Sequence, residues 1–248
     1  MRIISLVPSI TELLHDLESG DEVVGITKFC IHPANWFSSK QRVGGTKTVD
    51  IQLVRSLKPD LIIANKEENE KDQIEELARH CKILLTDVND LGGAISMIKD
   101  IGCAVGKANE ANKINDKIQT AFSQLKPVNP GIITSYFIWR NPYMVAGGDT
   151  FINDLMTRCG LKNCFATMTR YPQVRFDDLA KKDCKAILLS SEPYPFKEKH
   201  IAEFTSQLPH IPVTLVDGEM FSWYGSRLIS APEYFQRLLE TLHNYSPG

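Results

Sequence analysis

Ile3-Ile4-Ser5-Leu6-Val7 runs directly into Pro8-Ser9-Ile10-Thr11-Glu12 at the start of the chain. The first five residues are apolar but for Ser5 and do not alternate with polar ones, which predicts a strand buried on both faces. In the second five, Ser9 is a favourable helix N-cap, and Glu12 three residues later completes a capping box, so a helix is expected to start there. Further on, Arg42-Val43-Gly44-Gly45-Thr46 leads through a short helix to Leu57-Lys58-Pro59-Asp60-Leu61-Ile62-Ile63-Ala64-Asn65. A strand that turns straight into a helix, followed by a second buried strand, is the start of an α/β fold.

The rest of the chain repeats this alternation. Strands are predicted at 3–7, 23–26, 61–64, 83–86, 132–136, 186–190 and 213–216, all rich in Ile, Val and Leu. Such strands suit a mostly parallel sheet covered by helices. With 43% apolar and 23% charged residues the sequence reads as globular. A net charge of −2 lacks the concentrated basic face that nucleic-acid binding calls for. No apolar run approaches the roughly 20 residues of a membrane span. Met1-Arg2 is followed at once by the first strand, with neither the apolar stretch nor the cleavage site of an export signal. The chain therefore reads as cytoplasmic as it stands, or as periplasmic or membrane-anchored if a signal has been removed. Six scattered cysteines without a disulfide-like spacing lean toward a reducing compartment.

Between Asp90 and Lys126 the alternation stops. Ile95, Ile98, Ile101, Val105, Ala108 and Ala111 recur at helical spacing, Asp90 stands where it would cap the start, and Pro127 and Pro130 end the run. Gly102 and Gly106 each weaken a helix there by about 1 kcal/mol relative to Ala. Two helices of one domain and a single bridging helix both fit; the bridging helix is favoured because strand-helix units resume beyond it. Ile51 to Asn65 and Phe176 to Ser191 echo each other as helix, polar turn and buried strand, with acids after each strand. A last helix follows the capping box Ser230-Ala231-Pro232-Glu233.

The common enzyme signatures are missing: there is no G-x-S-x-G, H-E-x-x-H, G-x-G-x-x-G or Walker A sequence. Gly102-Cys103-Ala104-Val105-Gly106-Lys107 is one residue short of a P-loop and lacks its Ser or Thr. Cys30 and His32 follow the second strand, at the end where open α/β sheets bind ligands, and carry zinc- or iron-suited donors. A metal-dependent cytoplasmic enzyme or metal-binding protein built on them is one alternative, although two residues cannot close a structural zinc site. Aromatic residues collect in segments predicted as loops: Phe29, Trp36, Trp139, Tyr143, Tyr171, Phe221, Trp223 and Tyr224. Together they suit a cleft that stacks on a large flat ligand. Lys47, Arg140, Arg170 and Arg227 would place positive charge around it, matched to carboxylates or phosphates.

The opening stretch, the Gly44-Gly45 region and Trp139 to Thr150 together resemble the class III, helical-backbone substrate-binding proteins of ABC importers, the vitamin B12- and ferric siderophore-binding type. The resemblance implies an α/β fold of two Rossmann-like lobes with mostly parallel sheets bridged by one long α-helix: residues 1–89, the helix 90–126, and 127–248. It implies a non-catalytic protein, with no required cofactor, that captures a corrinoid, ferric chelate or haem in an inter-lobe cleft. Phe29, Tyr171 and Glu219 to Trp223 fall where B12-binding members wrap the corrin, and Lys47 stands where such members carry a tryptophan. Phe29, Trp36, Lys47, Trp139, Arg140, Tyr171, Glu219, Phe221, Trp223 and Arg227 are the expected ligand contacts. Glu68, Glu70, Asp178 and Glu192 are the expected acids for docking on an ABC permease, with Lys71 at the place of one relative's docking glutamate. A monomer is expected. A cytoplasmic sensor or carrier derived from the same fold is the second alternative.

Overall fold

The computed structural model describes residues 1–127 and 131–245, and the chain divides into two compact units. Unit 1 comprises residues 1–88, 92–119 and 223–229; unit 2 comprises 89–91, 120–222 and 230–248. The expected lobe boundaries at 89 and 127 are therefore corrected in two places. Most of the presumed bridge belongs to unit 1, and so does a short segment beginning at Trp223.

Unit 1 is built on β1 (Ile3–Ser5), β2 (Val23–Ile26), β3 (Gln41–Arg42), β4 (Leu61–Asn65) and β5 (Lys82–Thr86), in the order β3-β2-β1-β4-β5 and all parallel. Helices α1 (Pro8–Asp16), α2 (Ala34–Ser39), α3 (Ile51–Ser56) and α4 (Lys71–Ala78) connect them. The two central strands, β1 and β4, are buried along their whole length, as their unbroken apolar runs require. One face of the sheet packs Ile4, Leu6, Val43, Val54, Ile62 and Leu77 together. The predicted capping box is not formed. Helix α1 starts two residues earlier, with Pro8 in its first turn and Val7 as an N-cap without a side-chain bond. Proline fits there because the first-turn N–H has no partner inside the helix in any case. Glu12 turns instead to a distant arginine described below. Asp50 is a true side-chain cap, accepting from the Leu53 N–H at 2.9 Å.

The single helix expected over 90–126 is two helices, α5 (Leu91–Ala104) and α6 (Ala108–Gln124). Gly106 stops the first with φ +73°, a conformation L side chains avoid. Its N–H donates to the Cys103 carbonyl at 3.3 Å, and the Lys107 N–H donates to the Gly102 carbonyl at 2.7 Å, which is the paired closure of a Schellman turn. Gly102 then lets the two helices touch: a Cβ there would stand 2.3 Å from the Ala111 Cβ. The Asn115 side chain, donating to the Ile95 carbonyl at 3.0 Å, shows that α6 runs back along α5. Gly102→Ala is expected to force this hairpin apart and cost about 1 to 3 kcal/mol. Urea denaturation checks it: an unchanged midpoint would mean that the helices part without penalty. Pro130 lies outside the described residues.

Unit 2 centres on β6 (Ile132–Trp139). It is flanked by β9 (Ala186–Ser190), which leads on to β10 (Val213–Val216), and on its other edge by β8 (Leu161–Asn163) and β7 (Met144–Val145). All pairings are parallel except β6 with β7. Helices α7 (Phe151–Arg158), α8 (Phe176–Lys181), α9 (Glu198–Gln207), α10 (Gly218–Ser222) and α11 (Ala231–Tyr245) complete it. All seven predicted strands are present, and the α/β class with mostly parallel sheets stands. The short strands β3, β7 and β8 were not predicted. The anticipated echo is real as local structure, α3 to β4 in one unit and α8 to β9 in the other. Among the described residues no helix is long and apolar enough to cross a membrane.

Candidate functional site

In unit 1 the loop leaving the carboxyl end of β2 carries the exposed apolar groups. Phe29 is 51% exposed and Ile31 45%. The loop is held from below by Cys30, which is fully buried. The Thr11 hydroxyl donates to the Cys30 sulfur at 3.0 Å, and Thr27 Oγ1 lies 3.1 Å from it. Burial pushes the Cys30 thiol pKa up, and the neighbouring hydroxyls only partly oppose this. The Lys28 N–H binds the Gly44 carbonyl at 2.8 Å, and the Lys28 ammonium lies 5.2 Å from the Phe29 ring centre. One exposed aromatic with a cation riding on it is the result.

Behind that loop is a packed polar stack. The His32 ring meets Trp223 edge-on at 5.5 Å, and the Arg227 guanidinium lies 4.6 Å from the Trp223 ring. Arg227 in turn forks onto Glu12, with Nε 3.0 Å from Oε2 and a second nitrogen 2.6 Å from Oε1. The Glu12 pKa is nevertheless raised, because burial outweighs the hydrogen bonds and charge of Arg227. The Tyr224 hydroxyl donates to Glu68 at 3.1 Å, and burial drives its pKa far up, reinforced by the charge of Glu68. Lys47 reaches the Glu67 carbonyl at 2.9 Å and Glu70 at 3.3 Å, which ties the Gly44-Gly45 turn to the segment after β4.

In unit 2 the carboxyl end of β6 places Trp139, 40% exposed, edge-on to Tyr194 at 5.8 Å. Arg140 and Tyr143 both donate to Glu203, the former from Nε at 3.1 Å. Those donors hold the Glu203 carboxyl below the usual range although burial opposes them. Burial first, then Glu203 as acceptor, pushes Tyr143 to about 12. After β8 the chain presents Met168, 39% exposed, and then half-buried Tyr171 with the Arg170 guanidinium 5.7 Å from its ring. Asp149 Oδ1 accepts from the Arg170 N–H at 2.5 Å, fixing this segment to the Gly147-Gly148 turn.

The expected contacts thus fall into two groups. Phe29, Trp139 and Tyr171 are on accessible loops. Trp36 is only 6% exposed and is packed against His15, with ring centres 5.3 Å apart, so it belongs to the core. Phe221 is fully buried, between Tyr136 at 5.0 Å and Phe235 at 4.6 Å. Trp223 and Arg227 are spent on the stack with Glu12 and His32, and Arg140 is committed to Glu203. Glu219 is half-buried, and its N–H donates to Asp217 Oδ1 at 3.1 Å. Ile31 and Met168 are accessible apolar groups that the aromatic pattern did not mark.

The Cys30 sulfur faces two hydroxyls while the His32 ring faces Trp223. Among the described residues no three His, Cys, Asp or Glu gather as a metal site. Of the docking acids, Glu68 accepts from Tyr224 and Glu192 accepts from the Ser222 hydroxyl at 2.5 Å. Asp178 closes the start of α8 on the Arg175 N–H at 2.9 Å, and Glu70 precedes α4 in an exposed pair with Lys47.

A family model described as periplasmic binding protein matches residues 3–209. The chain is 23% identical over 254 residues to a vitamin B12-binding protein of Pectobacterium carotovorum subsp. carotovorum (strain PC1), covering 100% of this chain and 90% of that one. It is 28% identical over 247 residues to an uncharacterized ABC transporter substrate-binding lipoprotein, YvrC, of Bacillus subtilis (strain 168), covering 94% and 77%. Among solved structures, the periplasmic heme-binding protein HutB of Vibrio cholerae superposes with a TM-score of 0.82 at 18% identity, over 96% of this chain and 98% of that one. The periplasmic vitamin B12-binding protein BtuF of Vibrio cholerae does so with 0.75 at 22%, over 98% and 97%. At these identities the structural likeness shows the fold.

Proposed function

Because the chain belongs to the family of periplasmic binding proteins, we propose that it captures a corrinoid, haem or ferric chelate reversibly, without covalent chemistry, for delivery to an ABC permease. One observation carries the ligand class. Each unit presents, on a loop leaving the carboxyl end of a parallel strand, an accessible aromatic ring with a cation over it. These are Phe29 with Lys28, and Tyr171 with Arg170. Rings stack on a flat macrocycle or aromatic chelate, and the cations meet its peripheral carboxylates or amides. Ile31, Met168 and Trp139 extend the apolar area. The proposed contact set is accordingly Phe29, Ile31, Trp139, Met168 and Tyr171, with Lys28 and Arg170 for charge. Relatives that bind vitamin B12 or heme support the same class.

Thermal unfolding in the presence of cobalamin, cobinamide, haem and several ferric siderophores tests this. A true ligand at 100 times its dissociation constant stabilises the fold by about 2.7 kcal/mol, a rise in Tm of several degrees for a chain of this size. A hit names the ligand; no shift with any of these compounds would overturn the ligand class.

A further inference from the structure

Two cysteines of unit 2 that play no part in the proposed ligand contacts come together around one residue of β6. Thr134 pairs with Asn163 of β8 on one side and with Ala186 of β9 on the other. Cys164 follows Asn163 directly; its N–H binds the Thr134 carbonyl at 3.0 Å, and its sulfur lies 3.3 Å from the same oxygen. Cys184 stands two residues before Ala186, and its thiol meets the Ala186 carbonyl at 3.1 Å. Both side chains pack in one apolar cluster with Phe165 and Leu179. The neighbourhood of the two thiols shows in their titration: Cys184 raises the Cys164 pKa, and Cys164 lowers that of Cys184. Cys30 and Cys159 are buried, and burial pushes the latter to about 12.

We propose that Cys164 and Cys184 are a dithiol-disulfide couple that, when oxidised, braces the segment between them. That segment carries Met168, Arg170 and Tyr171, so its bearing on ligand capture, though not the couple itself, rests on the reading above. The reaction balances as thiol-disulfide exchange with a disulfide oxidant. Half-buried Cys164 reacts first because the oxidant reaches it and not buried Cys184; in its minor thiolate form it attacks, forms a mixed disulfide and releases one thiol. The Cys184 thiolate then attacks the Cys164 sulfur and expels the second thiol. One S–S bond forms and one breaks, and the two protons and two electrons of the cysteines leave on the two thiols. The closed loop of about 20 residues loses freedom mainly in the unfolded chain, so the oxidised protein is the more stable form.

The whole chain is incubated with glutathione disulfide, unfolded, alkylated and digested with trypsin without reductant. Cleavage after Lys162, Arg170, Lys182 and Lys185 gives peptides 163–170 and 183–185. They are expected joined, separated by dithiothreitol, and accompanied by a rise in Tm of about 5 °C or more over the reduced protein. Cys164→Ser, at the more accessible position, should abolish both effects while keeping the reduced protein's circular dichroism. Recovery of the two peptides singly, each alkylated or carrying glutathione, would overturn the couple. Neither readout involves a ligand, so failure of the ligand class leaves this result intact.

Discussion

Arg227→Ala is expected to destabilise the protein by about 2 to 4 kcal/mol, a large share of a typical domain's stability. The side chains of the pair are only 15% and 19% exposed, which places it toward the buried case but below its extreme. Removing the arginine leaves Glu12 in a site where burial already raises its pKa, and it takes the cation from the face of Trp223. Glu12→Gln should be far milder, because the amide keeps an acceptor for Arg227 and removes the buried negative charge. The two variants separate by pH as well. Since the folded protein holds the Glu12 proton more tightly than the unfolded chain, this group's contribution is full below the ordinary glutamate pKa and is lost as pH rises through the raised folded value. Urea titrations should therefore show wild type gaining on Glu12→Gln as pH falls through that window. A difference that stays flat with pH, or a mild Arg227→Ala, would refute this account of the stack.

None of this was legible beforehand, and the reason is physical. Glu12 and Arg227 stand 215 positions apart, so no local pattern ties them. Read locally, Glu12 made a capping box with Ser9, but the proline at the first helical turn moved the helix start and left that box without a role. The strands were legible because both faces of β1, β4 and β9 are buried, and such burial demands unbroken runs of Ile, Val and Leu. β3, β7 and β8 escaped because two- and three-residue strands carry no period to detect. Gly102 and Gly106 were visible but were weighed only as a cost to helix propensity. Their positions had more to say: a glycine four residues after another, followed by a lysine, is where a helix can close on itself and its successor can approach closely.

At the candidate site, sequence gave residue types and not directions. Aromatics in segments without helical period were all read as lining a cleft, although half of that reading depended on which way each ring turned. Trp36 turned inward as the buried side chain of α2, edge-on to His15. Phe221 did so because α10 packs it onto Tyr136 and Phe235. Phe29 stayed out because it sits on the tip of the turn that the Cys30 N–H closes on the Thr27 carbonyl, and Cys30 took the buried position. Ile31, exposed just beyond the turn, is passed over by a search restricted to aromatic rings.

Phe221→Ala and Trp139→Ala should fail in opposite ways. Phe221 is fully buried in unit 2, and deleting its ring leaves a cavity between Tyr136 and Phe235, at a cost of about 3 to 5 kcal/mol. Its folded fraction should bind ligand with unchanged affinity. Trp139 spends part of its surface on Tyr194 and offers the rest to solvent, so its loss should leave the denaturation midpoint nearly in place. Affinity for whichever macrocycle or chelate the thermal screen identifies should instead fall by about 1 to 3 kcal/mol, roughly fivefold to 150-fold, if the ring is a central contact. Fluorescence offers a direct readout, since only three tryptophans are present and Trp36 and Trp223 are buried. A bound corrinoid or haem should quench Trp139 emission in wild type, and Trp139→Phe should lose that component. Equal loss of affinity in Phe221→Ala and none in Trp139→Ala would move the binding surface away from the carboxyl end of β6, because a ring that is exposed yet indifferent to ligand cannot be its platform.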